Sequence, residues 1–255
     1  MKVLSSVKNA LKVLDAFSAD QPELTLTEVS RLLDSHKSSV FRILTTLASE
    51  GFVEKNPVSN KYRLGLKVLD LANRVMGRYD LRDLAGPYME ELARNLGEII
   101  HLSILDKNEI VYLEKKGEGQ VLTVATKVGG RNPAHASAMG KVLLSGLSQG
   151  ELDNVLAMEP LAGFTPNTIT EIPELIEELE KTRRRGFAID NEETFPGIRC
   201  VAAPIRGRGG GIVAAISVTV PTQRMGQERM DQITKQIKET AHLISERMRM
   251  TGLGA

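Results

Sequence analysis

Apolar residues recur at Val7, Ala10, Leu11, Leu14 and Phe17, a three-and-four spacing that predicts an amphipathic first helix. Asp20-Gln21-Pro22 then supplies a turn. Thr25 followed three residues later by Glu28 is a capping-box pattern, in which hydroxyl and carboxylate each satisfy an orphan backbone N–H, so a short second helix should run from there to about Leu33. Asp34-Ser35 breaks it, and Ser35 is placed to cap a third helix that continues to about Ser49 and stops at Gly51. Two short β-like runs follow, Phe52–Glu54 and Lys61–Leu64, with the turn formers Asn56-Pro57-Val58-Ser59-Asn60 between them. Helix, helix, short turn, helix and hairpin is the order of a winged helix-turn-helix.

The pattern changes after residue 65. Leu66, Leu69, Ala72, Val75 and Met76 keep helical spacing and predict a linker helix over 66–78. Another helix fits Leu81–Leu96, closed by Gly97. Strands are expected at Ile99–Leu105, Ile110–Glu114, Val121–Lys127, Phe187–Asp190, Arg199–Ile205 and Ile212–Val220, with residues 207–211 as the turn between the last two. Helices are expected from near Ser137, at 150–157 and 173–185, and at 226–249. Strands that return through short turns imply an α+β domain, a largely antiparallel sheet flanked by helices. The organisation expected is 1–65 as a DNA-binding unit, 66–78 as the linker helix and 79–255 as a second, larger domain.

Composition narrows this only slightly. The 255 residues, 42% hydrophobic and 25% charged, are ordinary for a globular chain, and the net charge of +1 does not announce a nucleic-acid binder. Residues 1–65 carry nine Lys/Arg against seven Asp/Glu, and the remainder 24 against 25, an asymmetry of the right sign but small. The single cysteine, Cys200, excludes an intrachain disulfide and a Cys-only zinc site. No apolar run reaches the ~18 residues of a membrane helix. The N-terminus lacks the apolar core of a signal peptide, so the expected location is the cytoplasm.

The third helix carries the chemistry of the N-terminal unit. Val40, Ile43, Leu44 and Leu47 form its core stripe, and at 100° per residue Ser38, Arg42, Thr45 and Ser49 lie opposite. His36 and Lys37 occupy the first turn, the end that enters the major groove in helix-turn-helix proteins. Arg42 can grip guanine with two hydrogen bonds, while the hydroxyls of Thr25, Ser35, Ser38, Ser39 and Thr45 and the helix-start N–H groups suit phosphates. Phe41 beside this face can touch a thymine methyl or pack inward. On the wing, Lys55, Lys61 and Arg63 are candidate phosphate or minor-groove contacts.

The chain resembles the IclR family of bacterial transcription regulators over nearly its whole length. The resemblance rests on Leu33–Leu44, Glu50-Gly51-Phe52-Val53 and Lys61–Gly65, then on His135–Lys141, Arg185–Glu193, Gly197–Ile205 and Ala214–Val218, in that order. It implies a GAF-like effector domain, homodimers that often pair into tetramers, palindromic promoter operators, no cofactor, and a pocket for a small, often anionic metabolite. Carried over residue by residue, the pocket falls on Ala138, Met139, Asp190, Cys200, Ser217 and Thr219, with Val121, Val124 and Ile198 as apolar walls. Lys141 is expected to be structural. Met139 is larger than the family's usual small residue there, and Val128–Pro133 leans towards the sugar-acid-responsive branch. The residues agree with this picture: N–H groups at the start of the helix after Ser137 attract a carboxylate, and Ser217 and Thr219 share one strand face with Ala215.

Two other readings use the same residues. Cys200 could be a nucleophile with His101 or His135 as base and Asp190 orienting it. Its apolar flanks, Ile198 and Val201–Ala203, instead suit a buried strand in which a thiol is inert, and no catalytic signature surrounds it, so no enzyme is expected. A metal site from His101, His135, Asp190 and Cys200 lacks any tight ligand spacing. A C-terminal domain that only oligomerises is the third possibility.

Overall fold

The computed structural model describes residues 3–18, 20–76, 81–117 and 127–251, with backbone alone at 73, 75 and 76. The chain divides into two units, Met1–Tyr79 and Asp80–Ala255.

The first unit runs α1 (Ser5–Asp15), α2 (Leu26–Leu32), α3 (Lys37–Ser49), β1 (Val53–Lys55), β2 (Tyr62–Leu64) and α4 (Leu66–Met76). Thr25 caps α2 as expected: its hydroxyl accepts the Glu28 N–H, and the Glu28 carboxylate reaches back to the Thr25 N–H at 2.7 Å. α3 starts later than expected, at Lys37, with His36 rather than Ser35 in the cap position and no side-chain cap bond. The reason is local. Asp34 adopts a left-handed φ of 47°, and the Ser35 hydroxyl donates to the Leu33 carbonyl, so it is spent closing the turn. β1 and β2 pair antiparallel, Val53 opposite Leu64, and a bridge from Leu24 to Tyr62 adds a third short rung. Gly65 ends this wing where no side chain fits, because a Cβ there would lie 2.2 Å from the Gly51 carbonyl oxygen.

Val13, Leu24, Val29, Val40, Leu44, Val53 and Tyr62 form the core of this unit, with Leu14, Phe17, Ile43 and Leu47 packed against it. The first helix corrects the sequence pattern. Val13 is its buried residue, while Val7 and Leu11 are 53% and 58% exposed. Its apolar positions lie on two faces: Ala10, Val13, Leu14 and Phe17 turn inward, and Leu4, Val7 and Leu11 form an outward stripe.

The second unit contains α5 (Leu81–Leu96), β3 (Ile99–Asp106), β4 (Glu109–Lys116), β5 (Arg131–Pro133), α6 (Ala138–Ser145), α7 (Gln149–Leu156) and α8 (Ile172–Arg185). β6 (Ala188–Asn191), β7 (Ile198–Arg206), β8 (Ile212–Pro221) and α9 (Gln227–Thr251) complete it. The strands form one six-stranded antiparallel sheet in the order β5-β4-β3-β8-β7-β6. This is the α+β sheet-and-helix architecture expected. The strand expected at 121–127 lies almost wholly outside the described residues, and the short β5 was not foreseen. Ala202, Cys200 and Ala215 pack with α6 and α8 on one face. Their neighbours Val201, Ala203, Ala214, Ile216 and Val218 are also buried and by strand alternation face the other way, which explains why β7 and β8 are apolar at nearly every position. α9 packs on β7 and β8 and against α5. Among the described residues no helix is long and apolar enough to cross a membrane.

Candidate functional site

In the first unit, the outward face of α3 presents His36, Lys37, Ser38, Ser39, Arg42 and Thr45 to solvent. The helix contains no acidic residue, and among the described residues neither Lys37 nor Arg42 has a carboxylate partner, so this face carries positive charge and hydroxyls. The N–H groups of Ser39 and Val40 turn back to the His36 carbonyl, which leaves those of Lys37 and Ser38 as orphan donors for a phosphate. Thr45 donates to the Phe41 carbonyl at 2.8 Å, so it has no proton for the phosphate expected there and offers only lone pairs, which suit a base amino group.

Three of the other expected contacts are already occupied. Both donors of Thr25 go to the Glu28 carboxylate, which lowers the Glu28 pKa and leaves Thr25 nothing to donate to a phosphate. Ser35 is bonded to Leu33, and Arg63 is held by Glu54 at 3.0 Å across the hairpin. Lys55 lies over the Tyr62 ring, 5.7 Å from its centroid, and Lys61 flanks the wing turn. That turn is fixed by the Asn56 side-chain oxygen, which accepts from the N–H groups of Val58 and Ser59.

In the second unit, a cleft is lined by His101, Tyr112, Asn132, Ser137, Ala138, Met139, Asp190, Thr194, Phe195, Ile198, Cys200, Ser217 and Thr219. It encloses about 410 Å³ of empty space when the open solvent at its mouth is included. Seven of the nine residues expected at an effector site therefore converge: Ala138, Met139, Asp190, Ile198, Cys200, Ser217 and Thr219. Val121 and Val124 lie outside the described residues.

Sheet pairing sets the chemistry of this cleft. Cys200 is opposite Thr219, Asp190 opposite Cys200, and His101 opposite Ser217, so one sheet face delivers all five. A bulge in the pairing of β3 with β4 puts Tyr112, rather than Leu113, across from Ser103 and turns its ring to the same face, 5.2 Å from the His101 ring. Tyr112, Asn132, Thr194 and Phe195 were not found from sequence, because their place depends on strand partners and a bulge with no local mark.

The floor of the cleft is the start of α6. Ser137 caps that helix by accepting the Gly140 N–H at 3.0 Å, so the N–H groups of Ala138 and Met139 are the ones left to meet a carboxylate. Gly140 packs on the preceding turn so closely that a Cβ would stand 2.1 Å from the Ala134 carbonyl oxygen. All eight residues of α6 are buried, including Lys141, whose ammonium meets the Glu193 carboxylate at 2.6 Å. Glu193 also accepts the Asn191 N–H and donates its own N–H to Asp190, and Thr194 donates to Asp190 and to the Ala136 carbonyl. The Lys141–Glu193 pair thus ties α6 to the end of β6, which carries Asp190, and to the turn after it, which carries Thr194.

Burial pushes the Asp190 carboxyl up to about 7, and the Glu193 charge adds to the rise. Burial holds His101 down to about 3, so the ring is neutral at physiological pH, with Nδ1 3.3 Å from the Thr219 hydroxyl. Cys200 lies 3.4 Å from that same hydroxyl, and burial and the Asp190 charge raise its thiol pKa, the direction opposite to that of an activated nucleophile. His135, the other candidate base, lines a different cavity, its Nε2 2.9 Å from the Ala162 carbonyl oxygen. Among the described residues no three His, Cys, Asp or Glu converge as metal ligands.

Residues 6–57 match the family model of the IclR helix-turn-helix domain, and residues 73–246 that of the bacterial transcriptional regulator IclR C-terminal domain. The chain is 36% identical over 246 residues to the HTH-type transcriptional regulator XynR of Escherichia coli K12, a match that covers 96% of this chain and 97% of that protein. It is 35% identical over 245 residues to the regulator KdgR of the same organism, 95% of this chain and 93% of that one. Among solved structures it is similar to an IclR homolog from Microbacterium hydrocarbonoxydans complexed with 4-hydroxybenzoate, with a TM-score of 0.84, 26% identity, and coverage of 96% of this chain and 99% of the other.

Proposed function

The chain belongs to the IclR family of bacterial transcription regulators, with a helix-turn-helix DNA-binding domain and an effector-binding domain, and from that premise we propose that a small hydroxylated carboxylate bound in the cleft sets its affinity for a two-fold operator. The observation that carries this reading is the convergence of Ala138, Met139, Asp190, Ile198, Cys200, Ser217 and Thr219 on one cleft. No Lys or Arg lines it among the described residues, so the N–H groups of Ala138 and Met139 at the positive end of α6 receive the carboxylate. Asp190, Asn132, Ser217 and Thr219 suit hydroxyl groups, and Ile198, Tyr112 and Phe195 the carbon skeleton. A hydroxyl-rich set of this kind favours a sugar acid, and the 4-hydroxybenzoate held by the Microbacterium relative supports a carboxylate.

Residues 1–65 act as the reading head, α4 (Leu66–Met76) as the linker helix and 79–255 as the sensor. Two copies read the operator, with half-sites one helical turn or a multiple apart. The outward stripe Leu4, Val7 and Leu11 on α1 is the apolar surface a second copy would cover. Lys37, Ser38, Ser39, Arg42 and Thr45 on α3 and Lys55 and Lys61 on the wing make the contacts to DNA. The regulator reading is favoured over an enzyme because the Cys200 thiol meets the Thr219 hydroxyl and its pKa is raised by burial, against a nucleophile's role.

The test is a footprint upstream of the protein's own gene, with a panel of small hydroxy acids scored by thermal shift and by operator affinity. An acid that raises Tm and changes operator affinity is expected. By linkage, an acid that weakens operator binding tenfold must itself bind tenfold more weakly to the operator complex. An acid that stabilises the protein and leaves operator affinity unchanged would sink the coupling. Arg42→Ala should lose protection at one base step per half-site.

A further inference from the structure

Along α3, Val40 and Leu44 are buried and Ile43 and Leu47 half-buried, but Phe41 is 50% exposed and takes no part in the domain core. Its surroundings on the helix are polar. Thr45 stands one turn above it, donating to its carbonyl, and Ser38 and Arg42 are its other neighbours on the outward face. It is the fifth residue of the helix, in the half that enters the major groove. A half-exposed aromatic ring thus lies in the middle of a hydroxyl-and-arginine face.

The major groove offers one apolar group on the base edges, the C5-methyl of thymine. We propose that Phe41 determines specificity by seating its ring against a thymine methyl in each half-site, beside the base step gripped by Arg42. Ser38, Arg42 and Thr45 supply hydrogen bonds that fix the helix in register, and the ring then rejects cytosine and purines at its own position because none of them carries that methyl. This rests on α3 being the helix that enters the groove.

The experiment uses the full-length protein and the operator it protects. Each thymine of the protected half-site is replaced in turn by deoxyuridine, which removes the methyl and keeps every hydrogen bond. One position per half-site is expected to weaken wild-type binding about fourfold, the equivalent of about 0.8 kcal/mol for one buried methyl-sized group. In Phe41→Ala the same replacement should cost nothing, and in Phe41→Leu part of the effect should remain; thermal melts check that both variants fold. If deoxyuridine is neutral at every position for the wild type, or the loss persists unchanged in Phe41→Ala, the proposal fails while the DNA-reading assignment of α3 stands. If Arg42→Ala and Ser38→Ala leave the footprint of the wild type intact, that assignment itself fails, and the proposal with it.

Discussion

Replacing Lys141 by methionine tests whether the buried ion pair beneath the cleft holds the end of β6 and the turn after it in place. Lys141 Nζ and Glu193 Oε1 are 2.6 Å apart, with the two side chains 1% and 6% exposed. At that distance and an effective dielectric of about 20, the attraction is about 6 kcal/mol, set against a desolvation cost of several kcal/mol per ion. Methionine fills the volume of the lysine stem but removes the charge. Glu193 would then keep the Asn191 N–H on one oxygen, while its Oε2 accepts no hydrogen bond from any described residue. A charge left unpaired in this way costs about 3–5 kcal/mol.

Urea denaturation of Lys141→Met should show that loss, with a fall in Tm of roughly 10 °C. The companion is the double variant Lys141→Met with Glu193→Gln, which removes both charges and should recover at least half of the lost stability. Effector binding reports on position rather than charge. The end of β6 with Asp190 and the turn through Thr194 both bond to Glu193, so the single variant should bind effector more weakly, and the double variant should remain below the wild type. A loss under about 1 kcal/mol in the single variant, or a double variant less stable than the single, would refute the claim that the pair pins this segment.

Three further outcomes follow from the same geometry. Gly140→Ala should destabilise by about 3 kcal/mol in urea, because the Cβ would lie 2.1 Å from backbone oxygen with no flexible group to yield. Asp190, raised to about 7 in the folded protein from 3.8, is protonated when folded and ionised when unfolded between those values, so it makes stability fall as pH rises from 4 to 7 and level off above. Asp190→Asn should remove that slope, with a gain at pH 8 of up to about 4 kcal/mol, read from denaturation curves at several pH values. Lys55→Ala and Lys61→Ala should weaken binding to all DNA sequences alike, and each phosphate no longer neutralised should reduce the slope of log affinity against log salt by about 1; an unchanged slope would return these lysines to ordinary surface charges.

The parts of this fold that were legible in the sequence are those decided by near neighbours. The Thr25–Glu28 capping box, the stop at Gly51, the turn at 207–211 and the alternation of Ser217 and Thr219 each depend on residues within a few positions, and each is found where local chemistry puts it. The start of α3 is displaced from its expected place because Ser35 has two local options, and its hydroxyl closes on Leu33 instead of capping the helix. Val7 and Leu11 show a different limit. Helical spacing marks an apolar stripe but does not say whether this chain or another covers it.

The cleft was half legible for a reason of the same kind. Its β8 wall follows from alternation, but the opposite wall depends on how distant strands pair. His101 reaches it through pairing with Ser217, and Tyr112 through a bulge whose only effect is to shift one register by one residue. A shift of one residue reverses the face of every side chain beyond it, so the alternation of β4 read alone cannot assign Tyr112 to the cleft. Lys141 makes the same point through charge. A lysine inside an otherwise apolar stretch looks out of place until Glu193, 52 positions away, is brought to it. That pairing links the helix that offers N–H groups to a carboxylate with the turn after β6, the strand that offers Asp190 to the ligand's hydroxyls. The two halves of the cleft are therefore held at a fixed spacing by a contact that does not itself line it, and loss of effector affinity in Lys141→Met with Ala138, Met139 and Asp190 all intact would be the mark of that arrangement.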